Sequence, residues 1–172
     1  MLEIVELVIG WRGGKGSPPS LGPFTLSVRP GEVIGLAGPS GCGKTMLLRC
    51  LGGESSSHGG ELRWQGRSLT AAQRRDRRLV GYLGPAEPLA ATGLDVRRTL
   101  ELAARLLDQP RQRVNELLEQ FALGECAASP LARLSSGLEE RLRLALLELP
   151  RPSVVLLDRP LAQLDRAGNE LL

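Results

Sequence analysis

Aromatic residues are scarce: five in 172, or 3% of the chain. The apolar mass must therefore come from Leu, Val and Ala, and recognition of nucleic acid by stacked aromatic rings has little to draw on. Lysine is scarcer still, with only Lys15 and Lys44 among 22 basic residues, and His58 is the single histidine. The three cysteines, Cys42, Cys50 and Cys126, form an odd set without close-paired spacing, so neither a disulfide framework nor a zinc site is suggested. No segment approaches the roughly 18 uninterrupted apolar residues of a spanning helix. Residues Met1 to Glu6 lack the basic start and apolar stretch of a secretory leader. These absences predict a soluble, cytoplasmic protein with reduced thiols.

Hydrophobic residues at 42% and charged residues at 24% exclude the disordered and collagen-like classes. The length predicts one domain, at roughly 150 residues each. Plentiful glycine and proline, 21 and 12 residues, imply many positions of special turn geometry. The densest basic cluster, Arg74, Arg75, Arg77 and Arg78 around Asp76, has no aromatic or nucleic-acid motif beside it. It predicts a solvated surface helix, and no nucleic-acid partner is expected.

Residues 2 to 9 and Phe24 to Val28 alternate as two antiparallel strands would. After the Pro30-Gly31-Glu32 turn, the continuous apolar run Val33 to Ala37 predicts a buried parallel strand. A Gly-rich loop and an apolar helix, Met46 to Leu51, follow, and residues 61 to 69 return to a strand-like pattern. Helices are expected over Leu100 to Leu107 and Val114 to Leu123. In the second, Val114, Leu117, Leu118, Phe121 and Ala122 trace one buried face. A further helix is expected after Gly137, with Leu138, Leu142, Ala145, Leu146 and Leu149 on its apolar side, and Val154 to Leu157 reads as a second buried strand.

The strongest signal is Gly38-Pro39-Ser40-Gly41-Cys42-Gly43-Lys44-Thr45, which fills every fixed position of the phosphate-binding pattern G-x-x-x-x-G-K-S/T. Between a strand and a helix, such glycines let successive N–H groups and the helix N-terminus converge on one anion. Lys44 is expected to bridge the β- and γ-phosphates of a nucleotide, and the Thr45 hydroxyl to ligate magnesium. A dinucleotide fingerprint fails, because Met46 falls where its third glycine belongs. Asp158 closes the 154 to 157 strand, where a carboxylate can hold magnesium through water. The competing reading of Asp158 is a loop cap.

These motifs, 114 residues apart from Lys44 to Asp158, resemble those of the ATP-binding cassette (ABC) family of nucleotide-binding domains over nearly the whole chain. Leu134-Ser135-Ser136-Gly137-Leu138 resembles the family's L-S-G-G-Q signature, and Pro160 to Asp165 resembles the loop by which paired domains read each other's sites. Trp11 stands where the family keeps an aromatic on the adenine; covering the edge of the small β subdomain is an equal alternative. The resemblance implies an α/β fold, a P-loop NTPase of ABC type. It would have a mainly parallel sheet core, a small N-terminal antiparallel β subdomain and an inserted helical subdomain at about 86 to 150, all within one domain over residues 1 to 172. It implies ATP and Mg²⁺ as ligands, with Thr45 and Asp158 at the metal. Ser135, Ser136 and Gly137 would meet ATP bound on the opposite domain of a homo- or heterodimer.

Departures are equally specific. Arg159 stands where the family has the glutamate that polarises water, and Pro85 stands where it has a glutamine. Ser136 and Leu138 alter the signature, and the family's final strands and γ-phosphate histidine do not occur by Leu172. His58, in a Ser/Gly stretch read as a loop, is not that histidine. The expectation is an ATPase subunit of weak activity, peripheral on the cytoplasmic side of the membrane and docked on separate permease subunits. The alternative is a catalytically silent regulatory subunit paired with an active homologue. A phosphate-loop kinase of small metabolites would leave the signature unexplained.

Overall fold

The computed structural model describes residues 1–10, 20–85, 89 and 93–159. They form two compact units, Met1–Tyr82 with Val154–Asp158, and Leu83–Ser153 with Arg159.

The first unit opens with β1 (Leu2–Ile9), which pairs antiparallel with β2 (Leu21–Val28) on one side and β3 (Ser57–Trp64) on the other; β4 (Arg67–Ser68) follows β3. Alternation puts Leu2 and Ile4 inside, and would next bury Glu6. A register shift between Ile4 and Leu7 prevents this: Glu6 takes φ 46, stays exposed, and returns Leu7 and Ile9 to the core. Gly60 lies against this bulge. A β-carbon there would stand 2.2 Å from the Glu6 carbonyl oxygen, and its φ of 69 suits glycine.

Against the sheet packs α1 (Lys44–Leu51), whose Leu47, Leu48, Cys50 and Leu51 join Leu2, Ile4, Leu7, Ile9 and Leu62 in one buried cluster. The cluster also takes Val80 of β5 (Val80–Leu83) and Leu156 of β6 (Val154–Leu157). These two strands lie side by side in a separate two-stranded sheet, as parallel strands.

The structure corrects three expectations here. Val33 to Ala37 belongs to no strand, and Val33 is 95% exposed. An apolar run is suited to burial, but a central strand also needs neighbouring edges for its N–H and C=O groups; among the described strands, β5 and β6 pair with each other instead. The arginine cluster is not a fully solvated helix either. A capping box of Thr70 and Gln73 starts the single turn α2 (Ala71–Arg74), and Arg74 is buried with Nη1 2.6 Å from the Cys50 carbonyl. Arg75 Nε donates to the Gly53 carbonyl at 2.8 Å. Both cations satisfy carbonyls at the C-terminal end of α1, where a helix has unpaired acceptors and negative potential. His58, finally, lies on β3 rather than in a loop, its Nε2 2.6 Å from the Gly10 carbonyl oxygen.

The second unit contains α3 (Val96–Leu106), α4 (Arg111–Gln120) and α5 (Ser136–Glu148). Each helix starts earlier than its apolar run. Asp95 caps α3 by accepting the Arg98 N–H at 2.7 Å, and Pro110 precedes α4. Val114, Leu117, Leu118 and Phe121 are buried as expected, whereas Ala122 is exposed beyond the helix end at φ 50. Arg113, itself buried, ties α4 to α5 through Glu148 at 3.0 Å.

Candidate functional site

The loop from Gly38 to Gly43 runs directly into α1. Gly38, Gly41 and Gly43 have φ of 155, 81 and 96, and Gly43 caps the helix with no side-chain acceptor. The first turn of α1 contains no acidic residue. Its leading N–H groups are therefore unopposed by any side-chain carboxylate of their own turn, the arrangement that favours an anion at a helix start.

Lys44 folds back over this loop. Its Nζ donates to the carbonyls of Gly38 at 2.8 Å and Pro39 at 2.9 Å, and lies 3.5 Å from Cys42 Sγ. The Cys42 N–H reaches the Pro39 carbonyl at 3.4 Å, so the loop is drawn around the ammonium group. Pro39, Ser40, Gly41 and Cys42 are exposed, and Thr45 is half-buried on α1. Among the described residues no carboxylate pairs with Lys44, which leaves its positive charge available to an incoming anion.

Asp158 follows β6 in the same unit and is 8% exposed, and its Oδ2 is buried without a hydrogen-bond partner. A buried carboxylate oxygen left without a partner carries its desolvation cost uncompensated, and a cation offsets it. The Thr45 hydroxyl and the Asp158 carboxylate are hard oxygen donors of the kind magnesium takes in small number, alongside phosphate and water. On the neighbouring strand, burial raises the Tyr82 hydroxyl above its ordinary pKa; the charges of Asp158 and Glu54 add to this and Arg49 partly offsets it.

The second unit holds the other expected residues. Ser135 caps α5, its hydroxyl accepting the Leu138 N–H at 3.3 Å. The helix begins at Ser136 rather than after Gly137, so Ser136 and Gly137 form its first turn. Arg159 is exposed, with φ 59. Trp11 and the segment 160 to 165 lie outside the described residues.

Sequence reasoning missed arginines that hold backbone carbonyls, among them Arg74 at the end of α1, and Arg143, whose Nη2 donates to the Gly84 carbonyl at 3.1 Å. The signal for such contacts is burial of the arginine, and burial is not written in sequence.

Comparison with known proteins accords with this geometry. A family model described as ABC transporter matches residues 21–162. The sulfate/thiosulfate import ATP-binding protein of Shewanella oneidensis is 36% identical over 161 residues, which is 87% of this chain and 42% of that protein. The cytochrome c biogenesis ATP-binding export protein of Bordetella bronchiseptica is 35% identical over 167 residues, covering 96% of this chain and 71% of its own. Among solved structures, the dimeric post-hydrolysis state of an ATP-binding cassette bound to ADP and Pi superposes with a TM-score of 0.81 at 22% identity, over 99% of this chain and 79% of that one. A putative ABC transporter ATP-binding protein from Pyrococcus furiosus gives 0.80 at 24%, over 99% and 80%. At these identities the structural likeness bears on the fold.

Proposed function

The chain belongs to the ABC transporter family, and from that premise we propose that it is an ATP-binding subunit that holds MgATP on the Gly38–Thr45 loop and serves transport by separate membrane subunits. The Lys44 geometry carries this reading: an ammonium held over its own loop by two carbonyls, at the open start of α1. Backbone donors from Ser40 to Thr45 would cradle the phosphates, with Lys44 exchanging its loop carbonyls for phosphate oxygens. Thr45 and Asp158 would hold magnesium, whose chemistry when bound is to neutralise charge on the transferred phosphoryl group. Trp11 would stack on the adenine. The relatives' names supply the transport context, and the chain spans 42% of the length of the sulfate/thiosulfate relative.

In this reading residues 1 to 172 act as one ATP-binding domain, with the helices between about 86 and 150 as its helical subdomain. Ser135, Ser136 and Gly137 would present the α5 N-terminus to nucleotide on a second ABC domain. The protein would sit on the cytoplasmic face of the membrane; among the described residues no helix is long and apolar enough to cross it. Hydrolysis would be slow, because Arg159 occupies the position of the water-polarising glutamate.

Titration calorimetry with MgATP tests the proposal on wild type and Lys44→Ala. Measurable binding by the wild type, lost in the variant, is expected. Equal binding by both, or by neither, would remove the site assignment.

A further inference from the structure

Two buried polar atoms of the first unit, the Tyr82 hydroxyl and Asp158 Oδ2, make no hydrogen bond among the described residues. They belong to one face of the β5–β6 pair. The Val154 N–H donates to the Leu79 carbonyl at 2.9 Å, which in a parallel ladder sets Val154 opposite Val80 and Leu156 opposite Tyr82. Alternate residues share a face, so Val80, Tyr82 and Leu156 look the same way, and all three pack on the cluster that contains α1. Asp158 continues that side after Leu156 and is 8% exposed, whereas Val155 on the opposite face is 47% exposed. Asp158 is therefore the diagonal neighbour of Tyr82, at a spacing of roughly 7–8 Å that an aromatic side chain can reach across. The ring is also confined. A β-carbon on Gly52, the cap of α1, would stand 3.0 Å from Tyr82 Cβ.

The two groups are chemically matched, because an ionised carboxylate only accepts hydrogen bonds and a phenol has one proton to donate. Arg49 on α1 also acts on this hydroxyl, but a guanidinium only donates, so it leaves the phenol proton free for another acceptor. We infer that Tyr82 is a positioning residue for Asp158: its hydroxyl serves Oδ2 through one shared water and fixes the direction in which that oxygen meets a cation. A buried water bridging otherwise unpaired polar groups is nearly as favourable as a direct bond. Only the cation's identity as nucleotide-bound magnesium rests on the ATP-binding reading; the pairing itself does not.

Urea unfolding of the nucleotide-free full chain tests the pairing in a double-mutant cycle. Tyr82→Phe is expected to raise the unfolding equilibrium constant about threefold or more in the wild-type background, and to leave it nearly unchanged beside Asp158→Ala. If the alanine variant does not fold, Asp158→Asn replaces it, and the effect of Tyr82→Phe should still shrink with the charge removed. Equal effects in both backgrounds overturn the pairing. So does an effect that disappears beside Arg49→Met but not beside the Asp158 variant, which would make Arg49 the partner. Calorimetry reads the consequence for the cation: Tyr82→Phe should weaken MgATP binding about threefold or more and leave ATP binding in EDTA unchanged. No loss, or the same loss with and without magnesium, overturns the positioning role. Retained MgATP affinity in Lys44→Ala would overturn the ATP reading while leaving the unfolding cycle standing.

Discussion

Leu21 occupies the space that a β-carbon on Gly43 would need: placed there, that atom would lie 2.1 Å from Leu21 Cδ1 and 3.5 Å from its Cγ. Leu21 is the first residue of β2 and Gly43 the cap of α1, so the antiparallel sheet and the phosphate loop are fitted to each other at this contact. Gly43 also takes φ 96, a backbone conformation costing other residues roughly 1–2 kcal/mol.

Gly43→Ala should therefore weaken MgATP binding by about tenfold or more, since the α1 N-terminus must shift or Leu21 must move. Adding Leu21→Ala restores the space but not the backbone preference, so calorimetry should find partial recovery in the double variant. Wild-type affinity in Gly43→Ala would show that the loop adapts without cost.

Ser135→Ala should lower stability by about 1 kcal/mol in urea unfolding, the usual loss for a helix cap. The lost contact is the bond from the Leu138 N–H to the Ser135 hydroxyl. Ser135→Asp keeps an acceptor at the same place and should retain wild-type stability. If alanine costs nothing, the cap does not support α5, and Ser135 would have to be explained by its proposed nucleotide contact alone.

Much of this was legible in residues alone, for reasons that differ by element. The Gly-rich pattern ending in Lys44 and Thr45 is local, and one loop running into the start of α1 contains all its parts. The α4 face is legible because Val114, Leu117, Leu118 and Phe121 repeat at helical spacing. Val33 to Ala37 was misread because strand membership depends on a neighbouring edge, which no window of sequence contains. Arg74 and Arg143 were missed for a related reason: their partners are backbone carbonyls far away in the chain, and every residue type supplies those equally. The Glu6 bulge was invisible because alternation specifies a face, while a register shift is set jointly with β2 and β3.

Burial pushes the Glu140 carboxyl above its ordinary range; Arg143 pulls it back and Glu139 adds to the rise. A carboxyl with a raised native pKa favours the fold below its unfolded pKa and loses that contribution as pH rises through the native value. Glu140→Gln should accordingly be more stable than wild type at neutral pH. The advantage should shrink as pH falls from neutral toward the ordinary carboxylate range, because the raised group takes up its proton first. Urea midpoints across that window decide it, and an advantage that grew toward acid would reverse the sign assigned to this group.

Arg159 combines a left-handed backbone, φ 59, with an exposed side chain directly after the buried Asp158. An arginine side chain carries hydrogen-bond donors and no acceptor, so it cannot serve as the base toward water. A general base typically contributes about 10² to 10⁴ in rate, so ATP turnover by the purified chain should be near background. Arg159→Glu supplies the missing carboxylate and should raise turnover in protein that dimerises. Arg159→Gly separates chemistry from backbone: it relieves the positive φ and should gain up to about 1 kcal/mol in stability, with turnover unchanged. Steady-state phosphate release from the three proteins, alongside their unfolding midpoints, resolves the two effects. Brisk hydrolysis by wild type that persists in Arg159→Ala would mean that another group orients the attacking water, and the expectation of a slow site would fall with it.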